Sequence, residues 1–247
     1  MKQKIIEYGD LMKNILGTFR KEVYDCLGEH PDVFTDAYRE MFHVDVVPSA
    51  VIFIEDELLT MEKKSFSRKM IINTYNDGLL MRTTTPCCAH MGCKEVDGKL
   101  KIVRLFIKVN YDIMVLDVLK HLPDLSLWVD AVLKTHARHE AGHILDYILS
   151  FDGKKPEVLK KNNEESKKAK DEWLTWWKTM SEDGRKVLPK EQEKERLTKY
   201  FNLPDEINAD TLGKVNRAKA IDYMVNSSDK CIDVVIKSKE RPKEDNK

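Results

Sequence analysis

Five consecutive residues, His139-Glu140-Ala141-Gly142-His143, carry the densest chemistry in the chain. On a helix, positions four apart lie about 40° apart around the axis, so both imidazoles can reach one ion. Glu140, one position on from the first ring, can then face the coordination site left open for water. Zinc lowers the pKa of such a water toward neutrality, and a neighbouring carboxylate takes its proton as the oxygen attacks a peptide carbonyl. The spacing predicts a Zn2+ cofactor, metal ligands at His139 and His143, and a general base at Glu140. His136, three residues earlier, reads as a neighbour on the same helix.

A catalytic zinc takes three protein ligands and keeps one position for water. The segment LPDEINADTLG, residues 203–213, offers the third. Pro204 and Asp205 open a helix, which puts Glu206 in its first turn and Asp210 one turn later on the same face. Glu206 is the expected ligand. Asp210 can accept the outer N–H of a ligating histidine, a bond that fixes the ring's tautomer and orientation.

With HEAGH followed by E-x-x-A-D, the chain resembles the gluzincin zinc peptidases, the group that includes thermolysin, over residues 139–143 and 206–213. The resemblance implies a zinc-dependent endopeptidase acting on protein or peptide, with His139, His143 and Glu206 on the metal, Glu140 as base and Asp210 behind a histidine. It also implies an antiparallel edge strand that binds extended peptide above the zinc, for which KIVRLFIKV (101–109) is the candidate. For oxyanion stabilisation Tyr223 and Arg217 are the candidates, by proximity in sequence alone. HEAGH is also similar to the membrane-anchored AAA proteases, whose third ligand is an aspartate. On that reading, for which NADTLGKVNRAKAI is the matching region, Asp210 binds the metal in place of Glu206. The lack of an ATPase domain and of a membrane segment favours Glu206.

The elements that must position these groups are visible in the apolar periodicity. SLWVDAVLKTHARHEAGHILDYIL reads as a buried helix ending near Gly153, with YDIMVLDVLKHL (111–122) helical before it. Ile5, Tyr8, Met12, Ile15, Phe19, Val23 and Cys26 recur at steps of three and four, predicting an amphipathic helix over about residues 3–28. A shorter helix follows in PDVFTDAYREMF (31–42). Between them and the zinc helix, VVPSAVIFIED (46–56), RKMIINTYNDGLLMRTTT (68–85) around an Asn76-Asp77-Gly78 turn, and KLKIVRLFIKV (99–109) predict three or four strands of one sheet. Residues 154–170 are Lys-rich and read as a solvated helix. Trp173, Trp176, Trp177 and Met180 form an apolar stripe expected to pack against the zinc helix. The expected fold is α+β: a small mixed or antiparallel sheet on the HExxH helix, with helical N-terminal and C-terminal extensions. The organisation reads as a helical region over 1–45, a zincin-like peptidase domain over 46–236 and a disordered charged tail over 237–247.

Lys plus Arg and Asp plus Glu each total 42, so the formal charge is zero and nothing draws the chain to nucleic acid or anionic lipid. No apolar run reaches membrane-spanning length, and Glu7 and Asp10 interrupt the place of a secretory signal. Five cysteines, an odd number with Cys87 and Cys88 adjacent, fit reduced thiols in a cytoplasm better than a secreted disulfide framework. Cys87, Cys88, His90 and Cys93 are dense in soft ligands, but adjacent cysteines rarely share one ion, and buried thiols near a strand end are the simpler reading. The rival to a peptidase is an inactive or structural zinc-binding interaction protein whose long terminal helices bind a protein partner. An open metal position separates the two.

Overall fold

The computed structural model describes residues 8–47, 86–111, 114, 118, 121, 124–151, 156–180 and 189–227. The strands expected over 48–56 and 68–85, the Asn76-Asp77-Gly78 turn and the tail over 237–247 lie outside them. Among the described residues the fold is α+β. Helix α1 (Tyr8–Gly28) and the short α2 (Asp36–Met41) lead directly into strand β1 (Phe42–Val47). The helical stripe expected to include Phe42 therefore stops at Met41. Phe42 instead buries itself edge-on against Phe34 and Tyr24 and opens the strand.

Strands β2 (Cys87–Val96) and β3 (Lys99–Asn110) form an antiparallel hairpin, and β1 runs parallel to β3 on its other side. The two hairpin residues, Asp97 and Gly98, both take positive φ, 54° and 71°. That is the tight two-residue geometry favoured by Asp-Gly. The order β1-β3-β2 corrects one expectation: KIVRLFIKV belongs to the central strand, not to an edge. Leu105, Ile107 and Val109 are fully buried on one face, while β1 and β2 take the hydrogen-bonding groups on the strand's two sides.

The sheet's inner face lies on a long helical rod. Leu125–Trp128 (α3) continues through a π-helical turn, Val129–Leu133, into α4 (Lys134–Phe151), which carries the HEAGH residues. Residues of α1 (Met12, Ile15, Phe19, Val23), β3 and α4 (Ala137, Ala141, Ile144, Leu145) share one hydrophobic core. Among the described residues four further helices follow: α5 (Pro156–Met180), α6 (Lys190–Phe201), α7 (Pro204–Gly213) and α8 (Arg217–Ser227). The tryptophans of α5 pack on α6 rather than on α4, which carries the HEAGH residues. Trp173 donates to the carbonyl of Arg196 at 3.4 Å and lies 4.9 Å from the Tyr200 ring. Arg196 and Lys199 sit over Trp177 and Trp176.

Candidate metal centre

Two glycines bring α7 against α4. A Cβ on Gly142 would stand 2.0 Å from the carbonyl oxygen of Ala209, and one on Gly213 would stand 2.4 Å from that of Arg138. Because both clashes are with backbone, no rotamer change relieves them. With Ala137, Ala141 and Ala209 fully buried alongside, the two helices approach closely enough for short acidic side chains to cross the gap. Pro204 starts α7, so Glu206 and Asp210 sit one turn apart and face α4, as their spacing predicts.

His139, His143 and Glu206 come together: one ligand atom from each lies within 4.8 Å of the others, and together they could hold a metal ion. His139 Nε2 is 3.0 Å and His143 Nε2 is 3.7 Å from the same oxygen, Oε2 of Glu206. Tetrahedral zinc spaces its ligand atoms about 3.3 Å apart, between those two values. The histidine rings are 4.6 Å apart at 77°, edge to face, so both can direct Nε2 at a common point. Glu206 is 2 % exposed, and its Oε2 is buried without any aligned hydrogen-bond donor despite the close nitrogens. Two ring nitrogens and a carboxylate oxygen that converge this closely form an arrangement that a cation can complete.

Asp210 lies behind this group. Its Oδ1 is 2.6 Å from Nδ1 of His139, and Arg217 donates to both its oxygens, Nε to Oδ2 at 2.9 Å and Nη2 to Oδ1 at 2.6 Å. The far ring nitrogen, not the metal side, is where the structure places Asp210. Arg217 is committed to it and stacks 3.8 Å over Phe201, so it does not face the three ligands. Tyr223 meets His121 at 3.2 Å. His136 is half-buried on the same helix, and burial together with Arg217 and His139 pushes its ring down to about 3.

Burial disfavours charge on His139, but the Asp210 and Glu206 carboxylates close to its two nitrogens outweigh that and hold the ring at about 9. Burial likewise works to raise Glu206, and the two histidines overcome it and keep the carboxyl well below its usual range. Glu140 is 5 % exposed; burial raises its pKa, opposed by His143, His139 and a hydrogen bond from the Ala89 backbone N–H. A carboxylate moved toward neutrality is suited to taking and returning a proton. On its other side the Cys87 thiol lies 3.8 Å from Oε1.

Several residues around the group were not read from the sequence. Tyr147, one turn after His143, stacks on its ring at 6.2 Å and donates to the Ala89 carbonyl at 3.4 Å. Its i+4 position on the HEAGH helix was the available signal. Tyr200 and Lys170 also reach Glu206, from helices whose approach no local spacing reveals. The cysteine group does not assemble. Cys87 faces the core while Cys88 points to the opposite face of the sheet, 3.0 Å from His90, and Cys93 is exposed beyond a register shift at Gly92. Alternation along the strand separates them.

No protein-family model, curated protein or solved structure matches the chain. No helix among the described residues is long and apolar enough to cross a membrane.

Proposed function

We propose that this chain is a zinc-dependent endopeptidase. The observation that supports the reading most is the convergence of His139, His143 and Glu206, whose buried Oε2 lies 3.0 Å and 3.7 Å from the two ring nitrogens and has no aligned hydrogen-bond donor. Leaving such an oxygen unsatisfied costs about 1–3 kcal/mol or more, a penalty that a bound cation removes. Three ligands of nitrogen and oxygen type, with no fourth group joining them among the described residues, fit an open catalytic zinc better than a closed structural one. When bound, zinc polarises a carbonyl and makes a water acidic near neutral pH.

The chain's own residues supply the rest. Asp210, held by Arg217, keeps His139 with Nδ1 protonated and Nε2 free to ligate. Glu140, shielded from solvent, takes the proton of the attacking water and passes it to the leaving amine. Protein or peptide is the substrate implied by the pattern shared with gluzincins. The absence of a disulfide at Cys26, Cys87, Cys88 and Cys93 fits a reducing compartment such as the cytoplasm.

Elemental analysis tests the first half: one zinc per chain in the parent protein, and none in His143→Ala. Peptide hydrolysis tests the second, because Glu140→Gln should keep the zinc and lose activity by about 100-fold or more. A Glu140→Gln protein with its metal and undiminished proteolysis ends the peptidase reading. Stoichiometric zinc without hydrolysis in the parent points instead to a metal-stabilised interaction protein.

A further inference from the structure

Glu206 has a second oxygen, and its surroundings differ from those of the first. Oε1 lies 3.7 Å from Nζ of Lys170, which is equally 3.7 Å from Oδ2 of the adjacent Asp205 and 5.8 Å from the centre of the Tyr200 ring. Burial and the neighbouring Glu206 carboxylate push the pKa of the Tyr200 hydroxyl up. Lys170 comes from α5 and Tyr200 from α6, elements that contribute no ligand to the cluster. The Lys170 side chain is about half exposed, whereas that of Glu206 is 2 % exposed, so the ammonium reaches inward from the surface to a buried carboxylate.

We infer that Lys170 and Tyr200 are positioning residues that hold Glu206 from outside, committing Oε1 to the protein and presenting Oε2 alone to the metal. The inference rests on the metal reading above. A carboxylate with both oxygens free can rotate and chelate, filling the position that a catalytic site reserves for water. Holding one oxygen against a cation that itself lies over the Tyr200 ring makes single-oxygen ligation the favoured arrangement. It also fixes the ligand's direction before the ion arrives, as the partners of ligating groups generally do. Asp205 holds the same ammonium in place, since its oxygen and that of Glu206 are equidistant from Nζ.

The test uses the full chain and two ions, Zn2+ and Co2+. Zinc affinity is measured by competition with a chromogenic chelator, and ligand number by the visible absorption of the Co2+-loaded protein, which weakens as coordination rises above four. Lys170→Met and Tyr200→Phe should each weaken zinc binding by about tenfold or more and lower the Co2+ absorption, while Lys170→Arg keeps both near the parent values. Unchanged affinity and spectrum in both Lys170→Met and Tyr200→Phe overturn the inference alone. A parent chain that binds neither ion overturns it together with the metal reading. A parent that binds both but cleaves no peptide loses only the peptidase reading, and the spectral change in the variants still supports the positioning role.

Discussion

His139 is held on both sides. Its Nε2 faces Glu206, and its Nδ1 is 2.6 Å from Asp210, itself clamped by two bonds from Arg217. This geometry separates the two readings of the acidic residues. If Glu206 is the ligand and Asp210 the orienting group, Glu206→Gln should release the metal, whereas Asp210→Ala should weaken zinc affinity by about 10–100-fold without abolishing it. Asp210→Asn keeps an oxygen that can accept the ring N–H and should fall between parent and alanine. Titrating the three variants with zinc checks the order; complete metal loss in Asp210→Asn with retention in Glu206→Gln reverses the assignment. Residues joined by helical spacing were legible in the sequence because four positions make nearly one turn, whatever surrounds them. Lys170 and Tyr200 were not, because their reach to Glu206 depends on how α5 and α6 cross α7, which no local pattern encodes.

At the scale of elements, the site depends on the contact between α4 and α7, and that contact depends on absent side chains. Gly142→Ala puts a methyl group 2.0 Å from a backbone oxygen of α7. Only separation of the helices relieves it, and separation carries Glu206 away from His139. Overpacking of this kind costs about 1–3 kcal/mol or more, so Gly142→Ala should lower thermal stability and lose stoichiometric zinc together. A variant that keeps full metal binding contradicts the account. The same junction is closed from α1: Arg138 donates to the Gly213 carbonyl at 2.7 Å and to Glu29, which also pairs with Lys214 at 2.8 Å.

Bonds from Lys214 and Arg138 lower the pKa of Glu29. A carboxyl with a depressed folded pKa contributes stability that is present above its unfolded value near 4.5 and is lost as pH falls below it toward the folded value. Glu29 is well exposed, so screening limits the effect to less than about 1 kcal/mol. Glu29→Gln should therefore cost little at pH 7, and its stability should fall less steeply than the parent's on acidification, as followed by thermal melts across that range.

The sheet shows where pattern reading stops. KLKIVRLFIKV alternates strongly and was visible as a strand, but its central place was not, because alternation reports a buried face and says nothing about neighbours. Strand β2 was missed. CCAHMGCKEV has few β-branched residues, and its burial comes from packing on α4, not from its own composition. Asp97-Gly98 was the readable sign of a hairpin there.

Across the whole molecule, the question is whether α1 is an appendage or part of the unit that holds the candidate metal site. Phe19 and Val23 are fully buried, in the same core as Ala141, Ile144 and Leu145 of the helix bearing His139 and His143. Phe19→Ala should thus destabilise by about 3–5 kcal/mol, a large share of the roughly 5–15 kcal/mol that ordinarily holds a domain together. Zinc supplies the decisive comparison, since a ligand stabilises only the cooperative unit that contains its site. At about 100 times its dissociation constant it should add about 2.7 kcal/mol to the unfolding free energy. In Phe19→Ala that gain should appear in one urea transition, with helix loss and tryptophan emission moving together. Two transitions, with only the later one sensitive to zinc, mean instead that α1 unfolds by itself and that the core it shares with the metal helix is not cooperative.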